Sequence, residues 1–438
     1  MSSAAPASPP ADRSRAKALR RLITANGLSS VGDGARFAAF PLLAAWSTGD
    51  VFWVSVVAAA SRAAWLLAPV IGTLVDRAPR RGSMVAADLA RCATLFLLFA
   101  LVAAGWTPVT VLIVPAFVSG VAEVFFDSAA QAVVPALAAD DQLEHANARV
   151  ISAQIVGTGF VGPPVGAALW GAWHPLPFLL DGATFLASAV LVAGLPKEPA
   201  PGKGERGVRS LLRGTWAGLR FLARDRVLRP LMVVVAVLGV GQQAVYAVLV
   251  VYVGQRLHLP AFGYSLMLVA AAVGSLAGAR TAPRVVRRLG AGRSLKVSVT
   301  VSALGYLGVA ALPWWPLVGC MLALNSAGVV LWNVCTVSVR QRLAPPDMLG
   351  RVTSGYRLAA WGAMPVGAAA GGALAEHAGL DAPWALAGVL LLACLPLLGG
   401  VAPGRKGTAG AAGVEGASGA TGAAGATGAA GDDTGESG

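Results

Sequence analysis

The chain has 438 residues, of which 56% are apolar and only 13% are charged. A soluble protein carries about 25% charged residues, so a soluble globular fold is excluded. The net charge is +13, but the cations lie in short turns between apolar segments. They do not form a basic face with groove-reading motifs, which argues against nucleic-acid binding.

Apolar segments of roughly 17–25 residues recur along the chain, and each is long enough to cross a ~30 Å hydrocarbon core. They predict an all-α polytopic membrane protein with twelve transmembrane helices in two six-helix bundles. The segments do not alternate polar and apolar residues as the strands of an outer-membrane barrel do. The predicted spans are 21–46, 53–75, 84–104, 108–131, 147–170, 175–195, 230–254, 262–282, 295–313, 316–339, 353–375 and 382–402.

The distribution of arginine and lysine predicts the orientation. With both termini in the cytoplasm, the inner segments hold nearly all of the flanking cations, and the outer turns hold Arg256 alone. The chain is therefore expected to be a multi-pass protein of the plasma (inner) membrane. Inner cations outside the central loop are Arg13, Arg15, Lys17, Arg20, Arg21, Arg77, Arg80, Arg81, Arg149, Arg284, Arg287, Arg288, Arg293, Arg340, Arg342, Arg351, Arg405 and Lys406.

The predicted domain organisation has five parts. A cytoplasmic tail (1–20) precedes the N-terminal bundle (21–195), and a cytoplasmic central loop (196–229) leads to the C-terminal bundle (230–402). The Gly/Ala-rich tail at 403–438 is expected to be disordered and cytoplasmic.

The central loop contains a predicted amphipathic helix lying at the inner membrane interface. Its apolar residues recur at helical spacing and its arginines lie elsewhere on the wheel. An ordinary tether between the bundles is a compatible alternative. The apolar residues are Leu212, Trp216, Leu219 and Leu222, and the arginines are Arg213, Arg220 and Arg224.

Two segments about 205 residues apart are similar to each other. Leu137-Ala-Ala-Asp-Asp141-Gln-Leu143 precedes the fifth span, and Leu343-Ala-Pro-Pro-Asp347-Met-Leu349 precedes the eleventh. A repeat of six spans is typical of two-bundle secondary transporters.

The turn between the second and third spans reads Gly72-Thr-Leu-Val-Asp76-Arg77-Ala-Pro-Arg80-Arg81. Gly72 would let the second span approach a neighbour closely. Asp76 would cap the next helix or pair with nearby cations, and the arginines would anchor the inner face. A generic positive-inside turn is the alternative, although it does not require Gly, Leu and Asp at this spacing.

This turn resembles the signature loop of the major facilitator superfamily, Gly-x-Leu-x-Asp-Arg-x-x-Arg-Arg. Thr158-Gly-Phe-Val-Gly162-Pro163-Pro164-Val-Gly166-Ala167 in the fifth span is similar to the antiporter motif of that superfamily's proton-coupled exporters, Gly-x-x-x-Gly-Pro-x-x-Gly-Gly, with the first and last glycines replaced by Thr158 and Ala167. The resemblance covers about residues 20–402. Shorter stretches are similar to the enterobactin and macrolide exporters: Gly32-Asp33, Phe40-Pro41, Asp88-Leu-Ala-Arg91 and Phe126-Asp-Ser-Ala-Ala-Gln-Ala-Val-Val-Pro135.

The resemblance implies a proton antiporter that exports drugs or metabolites by rocking two bundles. It also implies that Asp76 helps to latch the outward-facing state. The basic residue that the family places in the fourth span is missing, because this span carries Glu123 and Asp127 instead. The candidates for the latch partner are then Arg81, Arg91 and Arg357.

Charged side chains within the spans are candidates for proton coupling or substrate binding, because their burial in lipid is costly. Asp33 lies about 12 residues into the first span, which is roughly 18 Å deep. Arg36 is one turn further out, and Arg62 lies near the middle of the second span. Asp33 is predicted to carry a proton or contact a cationic substrate, with the two arginines setting its charge state. The alternative is a permanent salt bridge of Asp33 with Arg36 or Arg62 that locks the first two helices.

Glu123, Asp127 and Gln131 are spaced to share one face of the fourth span. Two neighbouring acids favour a proton relay or an inner vestibule, although Asp127 by itself fits an interface residue. Asp181, near the outer end of the sixth span, is an outer-vestibule candidate. Asp88 and Arg91 are interpreted as a structural pair at the inner end of the third span.

The Gly162-Pro163-Pro164 segment removes backbone donors and is predicted to bend the fifth span. It would act as a hinge that also seals against proton leak, and a plain structural kink is the alternative. Other polar side chains would line a cavity or join helices. They are Gln154, Gln242, Gln243, Asn325, Trp332 and Asn333.

The sequence shows no nucleophile set, metal-ligand spacing or nucleotide-binding loop, which indicates a transporter and no enzyme. No cofactor or metal is expected, and the proton gradient would supply the energy. The predicted partners are an amphipathic small molecule, protons and the lipid bilayer, with no nucleic acid, and a monomer is expected. The alternatives are an importer or facilitator with the same fold and a membrane scaffold or sensor without transport.

Overall fold

The computed structural model describes residues 9–137, 143–196, 208–345 and 348–400. These residues are almost entirely helical, and none of them lies in a strand. The predicted all-α class is therefore confirmed. The predicted disordered tail at 403–438 lies outside the described residues.

The first half of the chain forms eight helices. A 3₁₀ turn (Ala64–Leu67) connects the second helix to the third, and a π-helix (Ile155–Val161) connects the sixth to the seventh. The first helix begins well before its predicted span, so part of the predicted tail is helical. The eight are α1 (Pro9–Thr48), α2 (Val51–Ala63), α3 (Ala68–Arg77), α4 (Arg80–Ala103), α5 (Val109–Leu137), α6 (Leu143–Gln154), α7 (Gly162–Ala172) and α8 (Leu176–Ala193).

The second half forms seven further helices, of which the first lies in the central loop. The predicted eighth and ninth spans lie on either side of Gly290 in α11, and the non-helical φ of 75° and ψ of 163° at Gly290 separate them into two helices. Gly tolerates this positive φ, so the loop between the two spans is a sharp kink. The seven are α9 (Val208–Arg224), α10 (Leu228–Val251), α11 (Ala261–Ala311), α12 (Trp315–Leu343), α13 (Leu349–Gly362), α14 (Met364–Ala378) and α15 (Ala382–Cys394).

Nine helical segments in the described part of the chain are long and apolar enough to cross a membrane. One of them is α11, which counts once although it holds two predicted spans. The apolar segment Val51–Leu67 is shorter than these nine and is not counted among them. The polytopic architecture is confirmed. The number twelve and the boundaries of the two bundles stay predictions.

The two halves of the chain pack together mainly at one end. We call the end at which α1 begins and α4 starts the basic side, and the end that carries Arg256 the opposite side. Towards the opposite side, α2 packs against α14, and α7 packs against α11. Gly372 permits the first contact, because a Cβ there would collide with the side chain of Ser55. Among the described helices of the basic side, the halves meet where α9 contacts α3.

Candidate functional site

A cavity of about 660 Å³ lies between the two halves of the chain, on the basic side of the contact between α2 and α14. Its size suits a small organic molecule. The first half contributes Asn26, Ser30, Asp33, Arg36, Phe37, Arg62, Trp65, Arg91, Glu123, Asp127, Gln154 and Thr158. The second half contributes Gln242, Gln243, Tyr246, Ser275, Ser326, Trp361 and Met364.

Arg36 is the centre of a charged cluster on the wall of this cavity. Its Nη2 lies 2.6 Å from Asp33 Oδ1 in the same helix, and its Nε donates to Asp181 Oδ2 in α8 at 2.9 Å. The same Nη2 is 4.0 Å from Glu123 Oε2 in α5. A single guanidinium group therefore faces three carboxylates from three helices, as its planar fork allows.

A second guanidinium group extends the cluster to α4. Arg91 Nη2 lies 2.5 Å from Asp88 Oδ1, and its Nη1 is 3.9 Å from Asp33 Oδ2. Ser188 Oγ in α8 donates to Asp88 Oδ2 at 2.7 Å. The Arg91 guanidinium also lies 3.9 Å from the ring centre of Phe185, which adds a cation–π contact. The predicted pair of Asp88 and Arg91 is confirmed, and it is joined to the cavity.

The charges of this cluster are unequal. Four carboxylates (Asp33, Asp88, Asp181 and Glu123) face two guanidinium groups (Arg36 and Arg91). The cluster is neutral only when two of the carboxylates carry a proton, and a net charge inside a membrane is costly. The arrangement is therefore chemically suited to taking up and releasing protons.

The interpretation of Asp181 as an outer-vestibule residue is wrong, because its side chain is 0% exposed and is held by Arg36 inside the bundle. The salt bridge between Asp33 and Arg36 is present, but both residues lie in α1, so this bridge does not join the first two helices. Arg62 lines the cavity but forms no ion pair with any described residue.

The predicted polar face of α5 is confirmed for two of its three members. Glu123 and Asp127 both line the cavity, and the side chain of Glu123 is 34% exposed. Asp127 forms no ion pair within the described residues. The side chain of Gln131 lies outside the part that the structure describes.

The signature-type turn is described only in part. Arg81 Nη1 donates to the carbonyl oxygen of Leu195 at 3.0 Å, which ties the turn to the end of α8. Arg80 is the first residue of α4. The side chains of Asp76 and Arg77 lie outside the described residues, so the proposed latch stays a prediction.

Gly72 differs from expectation, whereas the role of Arg357 as a latch partner stays a prediction. A Cβ built on Gly72 would meet no described atom within 4 Å, so the expected close helix approach is absent here. The reason is that the halves of the chain pack mainly at the opposite side, where α2 meets α14. Arg357, a candidate latch partner, places its guanidinium 5.5 Å from the ring centre of Trp361.

The bend in the fifth predicted span packs directly on the charged segment of α1. A Cβ on Gly162 would lie 2.5 Å from the Cα of Gly34, and a Cβ on Gly166 would collide with the backbone of Ala35. Pro163 and Pro164 lack the backbone N–H groups that would continue an α-helix, and the preceding residues form a π-helix. The predicted interruption is therefore present, beside Asp33 and Arg36.

The remaining polar candidates divide into two groups. The three glutamines line the cavity, as the cavity interpretation predicted. Two of the others lie among the helices. Asn325 Nδ2 donates to the hydroxyl of Tyr306 at 2.6 Å, and Trp332 Nε1 donates to the hydroxyl of Tyr356 at 3.0 Å. Asn333 is exposed. The first two therefore stabilise helix packing.

An aromatic pair in the cavity was not predicted. The rings of Trp65 and Trp361 lie 4.6 Å apart in an edge-on arrangement and bridge the two halves of the chain. Such pairs stabilise by about 0.5–1.5 kcal/mol beyond their burial. Tryptophan is common in apolar spans, so the sequence offered no signal for this contact.

A cavity between two helical halves, closed towards one side and holding buried charges, defines an α-helical membrane transporter. The sequence profile of the Major Facilitator Superfamily matches residues 22–366. The chain belongs to this superfamily and is a transporter, not an enzyme.

Similar proteins agree with this assignment. The chain is 28% identical over 395 residues to the multidrug efflux pump Tap of Mycobacterium tuberculosis, covering 86% of this chain and 91% of that protein. The nucleoside transporter NupG superposes with a TM-score of 0.70 at 11% identity, over 87% of this chain and 98% of that one. An inward-facing bacterial homologue of the iron transporter ferroportin gives a TM-score of 0.69 at 18% identity, over 88% of this chain and 99% of that one. These structures show the shared fold.

Proposed function

We propose that the protein exports an amphipathic small molecule, such as a drug, siderophore or secondary metabolite, in exchange for protons. The observation that carries the proposal is the Arg36 guanidinium held by Asp33 and Asp181 on the wall of a cavity between the halves. Efflux is favoured by the likeness to a protein named as a multidrug efflux pump. Proton exchange is favoured by the surplus of carboxylates over guanidinium groups.

Asp33 is the proposed proton carrier. Its side chain is 23% exposed and lines the cavity, whereas Asp181 is 0% exposed and does not line it. A proton on Asp33 removes its attraction for Arg36 and Arg91. Arg36 can then turn towards Glu123, whose Oε2 is 4.0 Å away. Proton uptake thus rearranges contacts between α1 and α5, which are the contacts that a conformational change needs to alter.

The bend of the fifth predicted span is the proposed means of transmitting this rearrangement. Gly34 is adjacent to Asp33 in sequence and lies against Gly162. A shift of α1 at Asp33 must therefore move α7, which in turn packs on α11 of the other half. Rigid packed helices of this kind transmit small shifts between halves.

The orientation follows from the cations. We place the protein in the plasma membrane with both termini in the cytoplasm, so that the basic side is cytoplasmic. The cavity then faces the cytoplasm in the conformation described. Asp76 would latch the alternative, outward-facing conformation. A monomer suffices, because the cavity is formed by one chain.

The substrate would lie between the acids of α5 and the aromatic pair of Trp65 and Trp361. A molecule with an apolar ring system and a neutral or cationic group fits this lining, because rings stack on aromatic side chains and cations are attracted to them. No cofactor is needed, since the proton gradient supplies the energy.

The proposal is tested in liposomes that contain the purified protein and a pH-sensitive dye. Candidate cationic and neutral lipophilic drugs are added under an imposed proton gradient. Proton movement that depends on the drug would support antiport. Drug flux without proton movement would indicate a facilitator, and would contradict the proposal. Drug uptake with protons moving in the same direction would indicate an importer.

A further inference from the structure

A groove on the basic side of the protein, away from the central cavity, has the features of a lipid-binding site. It lies between α9 and the start of α13 and has a volume of about 710 Å³. Its walls carry four arginines: Arg213, Arg220 and Arg224 from α9 and Arg351 from α13. None of these four forms an ion pair with a residue that the structure describes.

The groove is formed by close helix packing and is not a loose surface feature. A Cβ on Gly218 would collide with the carbonyl oxygen of Arg351, and a Cβ on Gly355 would lie 2.7 Å from the backbone nitrogen of Leu219. Thr215 and Leu222 of α9 are buried on the same side of the helix. The two helices are therefore fixed relative to each other, and the arginines are held beside the groove.

An exposed aromatic ring accompanies the arginines. Trp216 is 59% exposed and lines the groove with them, whereas Leu222 is fully buried. The pattern of α9 therefore differs from the sequence interpretation, which grouped Trp216 with the leucines. Tryptophan beside arginine is typical of the membrane–water interface, where the ring meets acyl chains and the cation meets headgroups.

We infer that this groove binds an anionic phospholipid of the adjacent leaflet, with its phosphate among the arginines and its acyl chains against Trp216. The charge is complementary, because four guanidinium groups without a described acidic partner attract a phosphate. The position is suitable, because α9 leads directly into the apolar helix α10. Clusters of arginine next to a membrane helix bind anionic lipids.

The site would stabilise a contact between the two halves of the chain. On the basic side, α9 packs on α13 of the second half and also contacts α3 of the first. A lipid that orders α9 therefore acts at a junction that opening of the transporter has to change. This inference rests on the groove alone and holds whether or not protons drive transport.

The test is native mass spectrometry of the full-length protein in detergent, titrated with phosphatidylglycerol or phosphatidylcholine. The wild-type protein should bind phosphatidylglycerol more tightly. Replacing Arg213, Arg220 and Arg224 by Gln should weaken that binding about a hundredfold, since each arginine contributes roughly fivefold. Arg351→Gln, on the other wall, should weaken it by about fivefold. The matched control replaces Arg284, Arg287 and Arg288 by Gln. These three arginines are exposed on the basic side but lie outside the groove.

Four results would overturn the inference. The first is unchanged phosphatidylglycerol binding in both the triple variant and Arg351→Gln. The second is an equal loss in the control, which would mean a general charge effect. The third is equal binding of the two lipids by the wild-type protein, which would leave an acidic protein segment as the occupant. Inorganic phosphate should not displace the lipid, because it lacks the acyl chains, and displacement would also count against a lipid.

Discussion

Arg36 Nε donates to Asp181 Oδ2 at 2.9 Å, and this bond joins α1 to α8 inside the first half of the chain. Asp181 is completely buried and depends on Arg36, whereas Asp33 shares the same guanidinium from the cavity side. The two carboxylates that share Arg36 therefore have different surroundings. Asp181 holds Arg36 in place, and Asp33 is exposed to the cavity.

The bond predicts a specific pattern of stability. Arg36→Gln leaves the Asp181 carboxylate buried without its partner, which costs about 3–5 kcal/mol. The double variant Arg36→Gln with Asp181→Asn removes the uncompensated charge and should recover a large part of this loss. Thermal denaturation in detergent measures both. Equal destabilisation of the single and double variants would show that the pair does not hold the helices.

The packing of Gly162 on Gly34 predicts a steric effect. Gly162→Ala inserts a Cβ 2.5 Å from the Cα of Gly34. Backbone atoms must then move apart, at a cost of about 1–3 kcal/mol, and the rate of transport should fall. Gly171→Ala in the same helix is the control, because a Cβ there meets no described atom within 4 Å. If both variants behave like the wild-type protein, the bend is not coupled to α1.

The closed contact of α2 with α14 predicts that a wedge will open the opposite side. Gly372→Trp cannot fit against Ser55 and Phe52, so it should favour the conformation in which these helices separate. The measurement uses a cysteine at Ser61 in a background without the native cysteines. An impermeant maleimide added on the opposite side should label it at least tenfold faster, which corresponds to a bias of about 1.4 kcal/mol.

The control for the wedge lies on the same helix. Val366→Trp adds the same bulk at a position that is 65% exposed, so it should not change the labelling rate. Unchanged labelling in Gly372→Trp would mean that the halves do not separate along this contact.

The positions of the two acids of α5 predict unequal effects. Glu123 lies 4.0 Å from Arg36, whereas Asp127 forms no ion pair among the described residues. Glu123→Gln should therefore lower the rate of coupled transport by about tenfold, a loss of one transition-state contact of ~1.4 kcal/mol. Asp127→Asn should have a smaller effect. Transport rates in liposomes measure both, and a larger effect of Asp127→Asn would contradict the proposed role of Glu123.

Much of the fold was readable from the sequence because membrane helices depend on local composition. The apolar segments predicted the helices. The prolines predicted the interruption before Gly162, and the spacing of Asp33 and Arg36 placed both within one helical turn, where they pair. The sharpness of the kink at Gly290 was not predicted, because the sequence between the eighth and ninth spans reads as an ordinary loop. The π-helix at Ile155–Val161 packs against α1 and was not predicted from the sequence.

The site was readable only where its members share a helix. Asp33 and Arg36, Asp88 and Arg91, and Glu123 and Asp127 were found as local pairs. The bond from Arg36 to Asp181 spans 145 residues and depends on how α1 and α8 are rotated. Helix rotation also decides that Trp361 reaches the cavity and that Trp332 does not. Hydropathy carries no information on rotation within a helix that is apolar on most sides.

The most direct test of the account concerns Asp33. Asp33→Asn and the control Asp50→Asn are reconstituted in liposomes, and substrate accumulation is measured under an imposed pH gradient. Asp50 caps α2, with its Oδ1 2.8 Å from the nitrogen of Phe52, and asparagine caps equally well. We expect the control to accumulate substrate as the wild-type protein does, and Asp33→Asn to insert normally but to accumulate none. Retained accumulation driven by pH in Asp33→Asn would contradict it.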